Sequence, residues 1–418
     1  MSKKRAAIRI QQLNPHLYPL TKGGNRGFEA GFTLVELLVT MVMFVLVIAA
    51  ASQVFTSMLT QFKQQTKIAE TNVERLVGLE ILRQDIEHAG FGLPWNLNGG
   101  TYQEAGIEIK TPWVDRNFND GPPAGDENQP TRGGEIPGGS YAPGGIRSAD
   151  GDGTMIANTF NQSDVLVIKS TNVARNDASQ CWTRLIANDD PSKRSRDALC
   201  GESLEDTDRV IVMSLGSTES NSKTLILSDD ADSESWKTTY SNAVVNLAPS
   251  VDVDIRVIYG IEPISDTHAE ARMPFNRADY YIRRPNSIPQ RCAPNTGILY
   301  KAPVSHVDGL MPNELPLIDC VADMQIIYRD NNGVYHSADY ANTLTAAQIR
   351  GQIKEVRVYI LAHEGQKDPD FEFQDNPVTV GEFGLGRDFN FVDNGITDWQ
   401  NYRWKVYTLV VKPTNLEG

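Results

Sequence analysis

Cysteine is scarce in this chain, with four in 418 residues, and there is neither a Cys-x-x-Cys nor a histidine beside a cysteine. That pattern disfavours a structural zinc centre. Catalytic signatures are missing as well. There is no Gly-x-Ser-x-Gly, no His-Glu-x-x-His and no Walker loop, and the six histidines are scattered at 16, 88, 268, 306, 336 and 363. The chain is therefore not read as an enzyme. Basic residues are outnumbered 39 to 53, for a net charge of −14, so no direct nucleic-acid partner is expected. Arg283, Arg284 and Arg291 lie close together, as a local basic patch or as a solvated loop. Aromatic residues make up only 8% against 33 glycines and 22 prolines, which implies a globular part rich in loops.

One long apolar run stands out. Residues 32 to 51 carry a single charge, Glu36, and as a helix they would be about 30 Å long, the thickness of a bilayer's hydrocarbon core. Lys3, Lys4, Arg5, Arg9, Lys22 and Arg26 precede the run, against Glu29 alone. The positive-inside rule then keeps this end in the cytoplasm and exports the chain beyond residue 51. A carboxylate inside such a run weakens insertion by roughly 2.5–3.5 kcal/mol, so Glu36 calls for a reason. A secretory signal ending at "IAAAS", residues 48 to 52, is the plain alternative. It would be unusually long, would contain a glutamate, and would strand the helix after it.

From Met58 to Ala89 the apolar positions Phe62, Ala69, Val73, Leu76, Leu79, Leu82, Ile86 and Ala89 recur mostly every three or four residues, the period of an amphipathic helix continuing the span. "HAGFGLP", residues 88 to 94, ends it, with Gly90 and Gly92 suited to a C-terminal cap and Pro94 unable to continue. Beyond it, "DVLVIKS", "RVIVMSL", "KTLILS", "VDVDIRVIYGI", "MQIIYRD", "EVRVYILAH" and "WKVYTLVVKP" read as short strands. "YRDNNGVYH", residues 328 to 336, reads as a hairpin, and "LTAAQIRGQI", residues 344 to 353, as a helix. The fold class expected is α+β: a long N-terminal helix packed against a large antiparallel sheet head with long loops. Residues 119 to 153, with ten glycines and five prolines, read as an ordered irregular loop or a mobile insertion that buries little surface. In an exported protein Cys181 and Cys200, and Cys292 and Cys320, read as two local disulfides, though three connectivities are open. Asp115, Asn117, Asn119 and Asp126 echo the oxygen offsets of a calcium loop. Asp120 stands where such loops need glycine and Asp126 replaces the terminal glutamate, so a solvated turn is the default for this set and for Asp150 and Asp152. Calcium is the one cofactor the spacing would allow.

"GFTLVELLV", residues 31 to 39, resembles the signature of type IV pilins and pseudopilins, in which a dedicated peptidase cuts after the glycine and methylates the new amino terminus. The resemblance implies cleavage between Gly31 and Phe32, N-methylation of Phe32, and a filament-assembly role for Glu36, whose carboxylate would meet the amine of an entering subunit. Spacing alone leaves the pairing open, since Phe32 and Glu36 share a face of one helix at about 6 Å. The expected regions are a leader at 1–31, a transmembrane part at 32–56, an amphipathic part at 57–90 and a head at 91–418. The chain's length favours a minor subunit, and "LEILRQDIEHAGFG", residues 79 to 92, resembles the helix end of PilW-type minor pilins and of J-type pseudopilins; "NQSDVLVIKS", "ADYYIRRP", "GILYKA", "PLIDCVADMQIIYR" and "YRWKVYTLVVKPTNL", in that order, resemble the PilW pattern.

That resemblance implies a single-pass inner-membrane protein of a Gram-negative bacterium with a periplasmic head, later part of a surface pilus. The implied partners are the major pilin, other minor pilins, the prepilin peptidase, the inner-membrane assembly platform and a tip adhesin. A J-type pseudopilin of type II secretion is the alternative within the family. A membrane-anchored exported binding protein or hydrolase is the alternative outside it.

Overall fold

The computed structural model describes residues 33–106, 118–120, 142–151, 159–195, 204–215, 223–228, 236–251, 254–263 and 271–416. The chain divides into two compact units, Met1–Thr60 and Gln61–Gly418. One helix, α1 (Leu34–Glu87), contributes to both. No glycine or proline interrupts it before Gly78, and it is the one described helix long and apolar enough to cross a membrane. In the first unit its residues are exposed throughout.

The second unit is built on antiparallel strands. In chain order these are β1 (Ile146–Ala149), β2 (Val165–Ser170), β3 (Trp182–Leu185), β4 (Arg209–Ser214), β5 (Thr224–Leu225), β6 (Thr238–Thr239), β7 (Arg256–Glu262), β8 (Asn276–Arg283), β9 (Gly297–Pro303), β10 (Leu315–Asp330), β11 (Tyr335–His336), β12 (Ile353–Glu364), β13 (Val378–Val380), β14 (Arg387–Phe389) and β15 (Arg403–Val411). The large sheet runs β1-β2-β8-β9-β10-β12-β15, with β11 paired to β10 across the expected Asn-Asn-Gly hairpin. A smaller sheet, β3-β7-β4-β5 with β6 on β4, and the pair β13-β14 complete it. Short helices α2 (Tyr240–Asn246), α3 (Tyr340–Thr343) and α4 (Ala346–Gln352) lie outside the sheets; Thr345 and Gln348 form a capping box at the start of α4.

Alternation along the strands gives the large sheet two buried faces. Leu166 and Ile168 of β2, Ala278 and Tyr280 of β8 and Val358 and Ile360 of β12 pack with Leu82 and Ile86 of α1. On the opposite face Val165, Val167 and Tyr281 meet Ile211 and Met213 of the small sheet, while Tyr359 and Leu361 meet Val380 of β13 and Phe389 of β14. Two expectations change here. The second sheet is additional to the single sheet expected, and part of the glycine-rich stretch is ordered core: Ile146–Ala149 forms the buried edge strand β1.

The end of α1 coincides with the expected stop. Gly90 takes φ +84°, which favours glycine, and its N–H donates to Lys169 O at 2.9 Å. The Glu87 carbonyl at the helix end accepts from Thr414 N–H at 2.9 Å.

Candidate functional site

The motif begins where α1 begins. Thr33 N–H and Thr33 Oγ1 donate to Glu36 Oε2, each at 3.3 Å, and Glu36 N–H donates to Thr33 Oγ1 at 3.2 Å. This reciprocal pair is a capping box, which satisfies two of the free N–H groups at the helix start. The signal for it, Thr-x-x-Glu, is in the sequence but is overshadowed by the charge. Glu36 is the only ionisable residue between Thr33 and Phe62, and around it Leu34, Val35, Leu37 and Leu38 are all exposed. Gly31 and Phe32 lie outside the described residues.

Within the second unit, α1 is held by a polar and close-packed face. Its buried residues are Thr71, Arg75, Gly78, Leu82, Asp85 and Ile86, whereas Phe62, Val73 and Leu76 of the expected apolar stripe are exposed. The buried face keeps Leu82 and Ile86 of that stripe but departs from it nearer Thr71, where Thr71, Arg75 and Gly78 take the inner positions. Asp85 takes the Lys301 ammonium at 2.5 Å, Arg175 at 2.9 Å and the Tyr280 hydroxyl. Burial pulls the Lys301 amine below its usual range, against the opposing attraction of Asp85. Arg75 donates to Tyr407 Oη at 2.5 Å and to His363 O at 2.9 Å. At Gly78 the helix backbone approaches β10 so closely that an added Cβ would lie 2.2 Å from Leu317 O. Beside the exposed Val73 and Val77, an apolar groove of about 660 Å³ continues past Ile81 to Leu315 and Leu317.

Cys292 and Cys320 form a disulfide across 28 positions, and Cys320 sits at φ +55° where β10 breaks register against β9. Arg291, next to it, reaches Glu74 of α1 and Asp319, each at 2.5 Å. Cys181 is also disulfide-bonded; Cys200 lies outside the described residues. His363 brings a ring nitrogen within 4.8 Å of the Cys292 and Cys320 sulfurs, which the disulfide already occupies.

The three arginines do not make a free basic patch. Arg283 pairs with Glu314, Arg284 donates to Asn295 at 3.1 Å, and Arg291 holds the two acids just named. Of the calcium candidates, Asp115, Asn117 and Asp126 lie outside the described residues. Asn119 is buried in the head, its amide donating to Ala105 O at 3.0 Å and its side-chain oxygen accepting from Arg277 at 2.6 Å. Its two polar ends are thus already engaged, and it is not a ligand held out in a solvated loop. Of the second acidic pair, Asp150 is tied back to the head, its N–H donating to Asp339 Oδ1 at 3.0 Å; Asp152 lies outside the described residues.

Asn119 belongs to a feature that sequence reasoning missed. Arg147, Lys169 and Arg277, on β1, β2 and β8, meet Glu104, Asp120 and Asp279 with none of the six side chains exposed. Burial alone would raise the Asp120 carboxyl, but Arg147 and Lys169 outweigh it and bring it down to about 2. Single charges inside strand patterns, as in "VLVIKS", were the available signal.

Residues 26–52 match the family model described as the prokaryotic N-terminal methylation motif. No curated protein matches the chain. Among solved structures, a type IV-like pilin from Thermus thermophilus is similar at 11% identity over 34% of this chain and 67% of its own, with a TM-score of 0.22. At that score the weight rests on the motif. With the long apolar helix behind it, the motif describes a membrane-anchored, single-pass protein. The chain thus carries the methylation motif at the head of a long apolar helix and an α+β architecture, the features in which it is similar to type IV pilins and pseudopilins.

Proposed function

We propose that the chain is a minor pilin of a type IV pilus, a structural subunit that helps start the filament at the inner membrane and stays at or near its tip. On this reading the prepilin peptidase cuts between Gly31 and Phe32, Phe32 is N-methylated, and Glu36 receives the new amine of a neighbouring subunit. The observation that carries it is the lone carboxylate on an exposed apolar helix. An unpaired ammonium and an unpaired carboxylate are each costly among apolar helices, and meeting relieves both. The bulk of the Gln61–Gly418 unit suits a subunit present in few copies better than one repeated along a filament.

The capping box sharpens the test. Glutamine also serves at the third helical position of such a box, so Glu36→Gln keeps the helix start and removes only the charge. The variant should insert and be processed like the parent yet fail to enter filaments; wild-type assembly by Glu36→Gln would end the proposal. Mass spectrometry of the mature N-terminal peptide should find methylated Phe32, and a start at Ser52 would contradict it. Deleting the gene should abolish surface pili with protein secretion intact. The reverse outcome would assign the chain to a secretion pseudopilus.

A further inference from the structure

Asp85 and Lys301 meet where α1 packs on the large sheet. Tyr280 of β8 and Lys301 of β9 are direct cross-strand partners, so their side chains leave the sheet on one face, toward α1. Asp85, Tyr280 and Lys301 are all buried there. Asp85 Oδ2 takes the Lys301 ammonium at 2.5 Å and the Tyr280 hydroxyl. Its Oδ1 takes Arg175 Nε and Nη2 at 3.2 and 2.9 Å.

As an ion pair the arrangement is incomplete. An ammonium carries three donors, and Asp85 is the one acceptor that the Lys301 ammonium meets among the described residues. Each buried donor left without a partner costs about 1–3 kcal/mol. Burial, opposed by Asp85, lowers the Lys301 amine, which moves it toward its uncharged, nucleophilic form. The contact is also held in place. Leu82 and Ile86, on either side of Asp85, are fully buried, and α1 lies against the β10 backbone at Gly78. Groups fixed in this way reach effective molarities of about 10⁵–10⁸ M.

We propose that Lys301 and Asp85 condense to an amide, an isopeptide crosslink that joins α1 to β9 covalently. The ammonium passes one proton to Oδ2, and the freed Nζ lone pair attacks Cγ. Arg175 holds the charge that develops on Oδ1, as an oxyanion hole does. Tyr280 gives its hydroxyl proton to Oδ2 and takes one from Nζ, so the tyrosine is restored. The Nζ–Cγ bond forms, the Cγ–Oδ2 bond breaks and Oδ2 leaves as water; no oxidant or cofactor enters. The two charges vanish together, and one N–H donor remains in place of three. Arg175, partly exposed, keeps Ile81 O and Gln84 Oε1 as acceptors. The crosslink does not depend on the filament reading; in a subunit loaded through α1 it carries the pull into the sheet by covalent bonds.

Intact mass spectrometry of the full chain, purified in detergent, reduced and denatured, tests this. The mass should fall short of the mature sequence by one water. Trypsin should release a branched species that joins the peptide beginning at Gln84 to the peptide beginning at Cys292, with Lys301 uncut. Lys301→Arg keeps a cation for Asp85 but has no amine to condense, so it should show the full mass. Tyr280→Phe should raise the uncondensed fraction. A parent chain at full mass with no branched species would overturn the crosslink and leave the ion pair as the final state. A deficit that persists in Lys301→Arg would overturn it too, by placing the dehydration elsewhere. If Lys301→Arg does not fold, the branched peptide of the parent decides. Where it folds, it is the uncondensed reference for the energetics of the ion pair.

Discussion

Glu36 and Asp85 are two carboxylates on one helix, and the sequence makes only the first legible. Glu36 announces itself because its context is local: an apolar run and a Thr-x-x-Glu box surround it within a few residues. Asp85 has partners at Arg175, Tyr280 and Lys301, residues 90 to 216 positions away, and no periodicity could point to them. Its role is structural. Breaking a buried pair from one side leaves the other charge uncompensated, which costs about 3–5 kcal/mol. Asp85→Asn should therefore destabilise the chain by that amount in urea unfolding, and the double variant Asp85→Asn with Lys301→Met should recover part of it. A loss below about 1 kcal/mol for the single variant would show that the pair is solvated after all.

At the scale of elements, the contact between α1 and β10 sets two opposed effects against each other at Gly78. Alanine there gains about 1 kcal/mol of helix propensity, but its Cβ would lie 2.2 Å from a backbone oxygen, and overpacking of that kind costs about 1–3 kcal/mol. Backbone cannot swing aside as a side chain can, so Gly78→Ala should be net destabilising by thermal denaturation despite the better helix former. The disulfide across the β10 bulge closes a loop of 28 positions, worth about 3 kcal/mol in the chain-entropy account. Reduction should lower the unfolding midpoint of the sheet unit and leave the helical signal of α1 largely in place. The long strands β2, β7, β10, β12 and β15 were legible because each carries an extended run of β-branched or aromatic residues. In the small sheet β4, β5 and β7 were legible too, within "RVIVMSL", "KTLILS" and "VDVDIRVIYGI", whereas β3 and β6, four and two residues long, were not, nor was the grouping of these strands into a sheet of their own. The helix face was read correctly at Leu82 and Ile86 and misread before them for a related reason: Thr71, Arg75 and Asp85 are buried by partners that sequence spacing does not reveal.

Over the whole molecule, buried titratable groups tie stability to pH with opposing signs. Burial, reinforced by the charges of Arg75 and Arg291, pushes the His363 imidazole down to about 3, and its Nε2 accepts from Ala293 N–H at 2.8 Å. The unfolded chain takes up a proton at this histidine near pH 6.5, whereas the folded chain resists it until about 3. The stability it contributes is therefore full above 6.5 and is lost as pH falls through that window. Asp120, held at about 2, adds a second loss below the ordinary carboxylate range, near 3.8. Asp164 acts in the other direction. Burial, then Asp150, raises its carboxyl well above the usual value, so its contribution is full below 3.8 and declines as pH rises through its folded pKa. Between about pH 6.5 and 4 the two slopes oppose each other, because unfolded His363 holds a proton that the folded ring lacks while folded Asp164 holds one that the unfolded carboxylate has lost; Asp120 has not yet begun to protonate. His363→Gln retains an acceptor for Ala293 but no titrating ring, so as pH falls through that window the parent should lose stability relative to the variant by about 1.4 kcal/mol per pH unit, even if the variant's midpoint at neutral pH is lower. Urea unfolding at intervals from about pH 7.5 to 4 measures that slope separately from the midpoint, and equal slopes in the two proteins would mean that His363 is hydrated and titrates normally.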